Sequence, residues 1–86
     1  MDLRQSWEIT SKHLQRASSL LPDQSPKGIA EFKEFLEHNE LECAMRVLED
    51  EGFEAGTSKF WLALADAAEN MQLPKDAAEF RKLADQ

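Results

Sequence analysis

The fold of this 86-residue chain is decided by residues 58–72, which read SKFWLALADAAENMQ. Apolar residues recur there at helical spacing and cover a wide face: Phe60, Trp61, Leu64, Ala65, Ala68 and Met71. The remaining polar stripe is narrow: Lys59, Asp66, Glu69 and Asn70. A helix that is apolar over most of its circumference has neighbours on two sides. We therefore predict that this helix forms the centre of the core.

The segments on either side of this helix read as a loop and a further helix. Residues 53–57 are expected to form a loop, with Thr57 or Ser58 as the N-cap of the central helix. Pro74 is expected to open a fifth helix. The predicted inner face of that fifth helix is Ala77, Phe80, Leu83 and Ala84.

Two shorter helices are predicted upstream. Ser25 has the character of an N-cap with Pro26 at the first helical position, so helix two should run over 26–38. Its predicted inner face is Ile29, Phe32 and Leu36, with Phe35 at the edge. Asn39 and Glu42 resemble a capping box, which predicts a third helix over 40–51 with Gly52 at a left-handed C′ position. One continuous helix over 26–51 is the competing interpretation.

The N-terminal segment is predicted to form helix one over 2–21. Its apolar stripe is Leu3, Trp7, Leu14, Ala17 and Leu21. The helix should end before Pro22, because the residue preceding a proline is driven out of the α region. Residues 22–25 then form a polar linker.

Composition supports an all-α fold. The chain has only three Gly, three Pro and no Tyr, and its apolar fraction is 42%. Short connections favour antiparallel neighbours. We expect residues 1–86 to form a single domain, a compact bundle of four to five short antiparallel helices.

The charge of the chain is concentrated in one region. The net charge is −7, and residues 31–54, with nine acidic and two basic residues, account for all of it. A one-signed patch on a small domain destabilises the compact state by self-repulsion, but it also speeds the capture of a basic protein. Glu42 and Arg46, four residues apart, are expected to form a weak helical ion pair.

The acidic balance argues against several partners. Nucleic acid binding relies on Lys and Arg, and an anionic membrane repels the same charge sign. The single Cys43 excludes an internal disulfide and fits a reducing compartment. The first residues show no apolar run typical of a signal peptide. We therefore expect a cytoplasmic protein that binds neither nucleic acid, membrane nor small molecule.

The sequence offers no catalytic, metal-binding or cofactor motif. His13, His38 and Cys43 lack the spacing of zinc ligands. Residues 50–61 fail as a calcium loop, because Gly52 and Trp61 occupy positions that need carboxylates. No nucleophile has an activating motif. We expect neither an enzyme nor a cofactor protein.

Three aromatic residues could serve either the core or a partner. Helical spacing favours the core for Trp61 and, more weakly, for Trp7. Phe53 either packs back on the last turn of helix three or stands exposed beside acidic residues as a binding epitope.

A family resemblance adds to this interpretation. Residues 35–49, FLEHNELECAMRVLE, resemble a segment of the small helical immunity proteins encoded beside bacterial polymorphic toxins of the contact-dependent, rearrangement-hotspot and Maf classes. Phe60, Trp61, Leu64, Ala65 and Ala68 are similar to the second helix of that type. The similarity covers residues 27–73, and helix one does not align with it.

The resemblance implies an inhibitor that binds and blocks one toxin domain, often a basic nuclease, through its acidic helix face. The residues expected to contact such a partner are Glu34, Glu37, Glu40, Glu42, Glu49, Asp50, Phe53 and Glu54. The alternative is a general helical interaction module, an adaptor or regulatory subunit that binds a partner helix in an apolar groove and depends on Phe53, Trp7 or Ile9.

Overall fold

A computed structural model describes residues 3–22 and 24–85 of the chain. The described residues form five α-helices and no strand: α1 (Leu3–Ser19), α2 (Pro26–Glu37), α3 (Leu41–Ala55), α4 (Ser58–Asn70) and α5 (Pro74–Ala84). The predicted all-α fold is confirmed. The expected start of helix one at Asp2, the side chain of Leu3 and the linker residue Asp23 lie outside the described residues.

Neighbouring helices run antiparallel, as three hydrogen bonds between distant residues show. Ser25 Oγ donates to Glu51 Oε1 at 2.7 Å and joins the start of α2 to the end of α3. Ser58 Oγ donates to the carbonyl oxygen of Ala84 at 2.6 Å and joins the start of α4 to the end of α5. Asn70 Nδ2 donates to the carbonyl oxygen of Ser6 at 3.0 Å, and this bond places the end of α4 beside the start of α1.

Helix α4 lies at the centre, as predicted. It packs against α5, α1 and α3, whereas α2 packs mainly on α3. Seven α4 residues are buried, among them Phe60 and Leu64, which are fully enclosed. Full burial of such a side chain stabilises the fold by about 1.5–3 kcal/mol relative to exposure. Trp61 belongs to this core and stacks on Phe80 of α5 with ring centroids 5.7 Å apart.

Two of the three helix starts predicted from polar caps are confirmed, those of α2 and α4. Ser25 Oγ accepts a hydrogen bond from the backbone N–H of Gly28, and Pro26 occupies the first turn of α2. Thr57 Oγ1 accepts from the backbone N–H of Phe60 at 3.3 Å and caps α4. Pro74 opens α5.

The break between α2 and α3 is confirmed, but its predicted chemistry is wrong. Asn39 is not an N-cap; it follows α2 in the left-handed region with φ 55°. The N-cap of α3 is Glu40, which makes no side-chain capping bond. The N–H of Glu40 instead bonds back to the carbonyl of Phe35 at 2.9 Å, a Schellman motif. A single helix over 26–51 is thereby excluded.

The same corner occurs a second time, between α4 and α5. Gln72 has φ 61°, and the N–H of Leu73 bonds to the carbonyl of Ala68 at 2.9 Å. Helix α4 therefore ends at Asn70, two residues before the predicted end. Both helical hairpins turn through one non-glycine residue in the left-handed region.

Gly52 does not end α3, contrary to the prediction. The helix continues to Ala55, and the predicted loop over 53–57 shrinks to Gly56 and Thr57. Gly52 is buried against α4, where an added Cβ would overlap the Phe60 ring and lie 3.1 Å from Trp61 Cη2. The glycine is needed for close helix packing and not for a turn.

Two residues placed on inner faces by their spacing are partly exposed. Trp7 is 38% exposed and Ile29 is 38% exposed, whereas Leu14, Leu21 and Phe32 of the same stripes are buried. Helix α1 packs on α4 and α3, and α2 packs mainly on α3. These neighbours cover only part of the apolar stripe of each helix.

Candidate functional site

The acidic side chains of α2 and α3 reach the surface, although they do not all point in one direction. Seven of the eight predicted contact residues are exposed, and the eighth, Glu49, is half-buried. Consecutive helical residues diverge by about 100°. The side chains of Glu49 and Asp50 therefore point in different directions, while Asp50 and Glu54, four residues apart, lie on the same side of α3.

Glu34 and Glu37 occupy the outer side of α2. Both are exposed, and they stand three residues apart on a helix whose buried residues are Gly28 and Phe32. Glu40 and Glu42 lie at the corner where α2 passes into α3. The acidic surface of the hairpin, hereafter the acidic surface, therefore comprises three exposed pairs: Glu34 and Glu37, Glu40 and Glu42, and Asp50 and Glu54.

Arg46 does not neutralise this surface. The predicted pair with Glu42 is not formed; Arg46 Nη1 instead contacts Glu49 Oε1 at 3.1 Å and Asp76 Oδ1 of α5 at 2.8 Å. A second bond, from Nη2 to Asp76 Oδ2 at 3.2 Å, makes the contact with α5 bidentate. The hydrogen bond to Asp76 raises the pKa of the Arg46 guanidinium, because it stabilises the charged form.

Little other positive charge compensates the acidic surface. Lys27 lies 3.8 Å from Glu31, and both side chains are largely in solvent, so the pair contributes little. Among the side chains of residues 5–22 and 24–85, which the structure describes, none of the six acidic residues of the surface forms an ion pair. Their charge is therefore available to an approaching molecule.

Phe53 stands beside these acids as an exposed aromatic residue. It lies inside α3, is 62% exposed, and does not pack back on the preceding turn as one of the two interpretations required. Its ring centroid is 5.6 Å from that of Trp61, which is buried. The inner side of the Phe53 ring therefore packs on Trp61. Asp50, three residues earlier on α3, lies beside Phe53 on the helix surface. An aromatic anchor with an acidic margin suits a protein interface.

Sequence periodicity alone missed a groove at one end of the molecule. Residues from α1 and from both hairpin corners surround a groove with a volume of about 640 Å³. Trp7, Glu40 and Glu42 are among its lining residues. The left-handed residues of the two corners, Asn39 and Gln72, are 33 positions apart, so no local sequence pattern predicts this site.

The described side chains offer no metal site. In residues 3–22 and 24–85, no cluster of three or more His, Cys, Asp or Glu side chains is arranged to hold an ion. Cys43 is a free, exposed thiol. Among the same residues, no helix combines the length and apolar character needed to cross a membrane.

Comparison with protein-family models, with curated proteins and with solved structures found no match to this chain.

Proposed function

We propose that this chain is an immunity-type inhibitor that binds a basic, nuclease-like toxin domain through the acidic surface of α2 and α3. The observation that supports the proposal most is the set of six exposed acidic side chains without ion-pair partners among the described residues. The inhibitory role and the class of partner come from the resemblance of residues 27–73.

Electrostatics explains how such a surface would act. Surface charges of one sign that remain unpaired create a field that steers an oppositely charged protein, raising association rates by about 10–10³-fold. Nucleases concentrate positive charge around the site that binds phosphate. Carboxylates held on a rigid helical hairpin can occupy that site in place of phosphate, while Phe53 supplies apolar contact area.

The test is a charge reversal of the acidic surface. We expect the triple variant Glu42→Lys, Asp50→Lys and Glu54→Lys to slow association with the cognate toxin domain that the proposal requires by at least about 10-fold at low salt. Glu49 is left unchanged because its carboxylate binds Arg46. Helicity should stay unchanged, since all three residues are exposed.

A matched control separates the position of the charges from their number. Glu8→Lys, Asp66→Lys and Glu79→Lys reverse three exposed acids outside α2 and α3, which changes the net charge by the same amount. Stopped-flow binding at several salt concentrations compares the variants. Equal slowing by both triple variants, or an association rate insensitive to salt in the unmodified chain, would contradict the electrostatic proposal. Failure to inhibit the toxin domain at equimolar concentration would contradict the inhibitory role.

A general helical interaction module is the second candidate, and the exposed apolar side chains favour it. Trp7 is 38% and Ile9 is 37% exposed. A partner helix bound through such residues would show an affinity that changes little with salt and falls on Trp7→Ala or Ile9→Ala. The salt series on the same protein distinguishes the two candidates.

A further inference from the structure

The groove described above has Trp7 on one side and the two hairpin corners on the other. Helix α1 contributes Trp7 and Thr10, the first corner contributes residues 39–43, and the second contributes residues 70–73. Trp7 also lines a neighbouring groove of about 500 Å³, so its side chain lies between the two grooves. It is accessible from both.

The charge of the groove is negative. Among the side chains that the structure describes, the charged ones lining it are Glu40 and Glu42, both exposed. The neighbouring groove differs, because its Glu8 and Lys12 compensate each other. The helix ends at the two corners add little: α2 and α4 end at the groove, and α3 and α5 begin there, so the partial charges of these four termini oppose one another.

The floor of the groove is held by enclosed hydrogen bonds. Asn70 Nδ2 donates to the carbonyl of Ser6 at 3.0 Å and to Thr10 Oγ1 at 2.5 Å. Thr10 is only 1% exposed, so this contact is enclosed. The two bonds fix α1, and with it Trp7, against the end of α4.

An exposed tryptophan beside two exposed carboxylates suits a planar cation. Guanidinium groups stack on tryptophan faces and bind carboxylates through two parallel hydrogen bonds, which an ammonium group cannot do. We propose that this groove receives an arginine side chain of the basic protein partner, with the guanidinium stacked on Trp7 and paired with Glu40 or Glu42. The inference rests on the proposed function, since it assigns one contact of the same partner.

A short peptide tests the groove without the partner. The probe is acetyl-Gly-Arg-Gly-amide, and its controls carry lysine or citrulline in place of arginine. The chain contains two tryptophans. NMR therefore shows two indole N–H signals, and buried Trp61, 5% exposed, is the internal reference. We expect the Trp7 signal to shift saturably with a Kd on the order of 1 mM, as suits so few contacts.

Paired substitutions locate the binding. Glu40→Gln with Glu42→Gln should weaken peptide binding by about 10-fold or more, because it removes both charges of the groove. Glu34→Gln with Glu37→Gln removes two exposed acids outside the groove and should leave the Kd within about 2-fold. Trp7→Leu should abolish peptide binding. Because this variant lacks the Trp7 indole signal, its binding is followed through the backbone signals of residues 39–43.

Four results would overturn the inference: no shift of the Trp7 signal, equal shifts with citrulline, equal affinity for the lysine peptide, or equal weakening by the two double variants. None of these decides the proposed function, which is tested by capture and inhibition of the toxin domain. Conversely, if the peptide binds while no toxin domain is captured, the groove recognises arginine in a partner of another class, and the proposed function is wrong.

Discussion

The two helical hairpins have the same type of corner but differ in their charge and in how deeply their helices are buried. Both α2–α3 and α4–α5 pass through a Schellman corner with one left-handed residue, Asn39 or Gln72. Residues 31–54 of the first hairpin carry a net charge of −7, whereas residues 55–86 carry −1. Helix α2 buries two residues and α4 buries seven.

This difference shows how a small domain tolerates a one-signed surface. Charged side chains keep their hydration only where no neighbouring helix covers them. Helix α2 packs mainly on α3, so its outer side can carry unpaired carboxylates. Helix α4 is enclosed by three neighbours and has room for a charged stripe only along one narrow side. The Arg46–Asp76 contact joins α3 to α5 and links the two hairpins.

Substitution of apolar side chains by alanine should give the largest difference in stability loss between the two hairpins. Leu64→Ala on α4 removes a fully buried side chain and should cost about 2–5 kcal/mol in the free energy of unfolding. Ile29→Ala on α2, where the side chain is 38% exposed, should cost less than about 1 kcal/mol. Urea denaturation followed by circular dichroism measures both. Equal losses would mean that α2 contributes to the core as much as α4 does.

The two buried glycines should respond differently to a methyl group. At Gly52 the new Cβ meets the rigid ring of Phe60, so we expect Gly52→Ala to lower stability by about 1–2 kcal/mol, even after the gain in helix propensity.

At Gly28 the obstacle is the Glu51 carboxylate, which can rotate away and give up its bond from Ser25. Gly28→Ala should therefore change stability by less than about 1 kcal/mol. The midpoints of thermal unfolding decide this comparison. A larger loss at Gly28 than at Gly52 would show that the α2–α3 contact is the more rigid of the two.

The smallest expected effect on stability comes from substituting the left-handed residue of each corner. Glutamine is strained at φ 61°, so Gln72→Gly should raise stability by about 0.5–1 kcal/mol. Asparagine tolerates this region better, so Asn39→Gly should gain less. Gln72→Ala serves as the control, because it keeps the Cβ and with it the strain. Chemical denaturation at one salt concentration measures all three variants; a gain at Asn39 larger than at Gln72 would contradict the ranking.

Much of the fold was predictable from local signals. The N-caps Ser25 and Thr57 and the proline starts of α2 and α5 are short-range chemistry that neighbouring residues decide. The apolar face of α4 was broad enough to place it at the centre. Six of the nine acidic residues between positions 31 and 54 are exposed and the other three are half-buried, as expected because ionised carboxylates are costly to bury.

Other features were not predictable in this way. Asn39 fits an N-cap and a left-handed C′ residue equally well by type, and the hydrogen bonds of the chain choose the second. Gly52 has the composition of a helix end, yet contact with Phe60 makes it an interior residue. Arg46 had a helical partner at Glu42, but Asp76 of a distant helix offers the bidentate geometry.

By itself, the order of residues determined the class of fold, the approximate helices and the concentration of negative charge between positions 31 and 54. These properties follow from periodicity, capping chemistry and composition, which act over a few residues. Only the tertiary structure decided which carboxylates stay unpaired, which glycine approaches an aromatic ring, and that Trp7 faces a groove built from two corners. Such outcomes depend on contacts between residues far apart in the chain, and local spacing does not specify them.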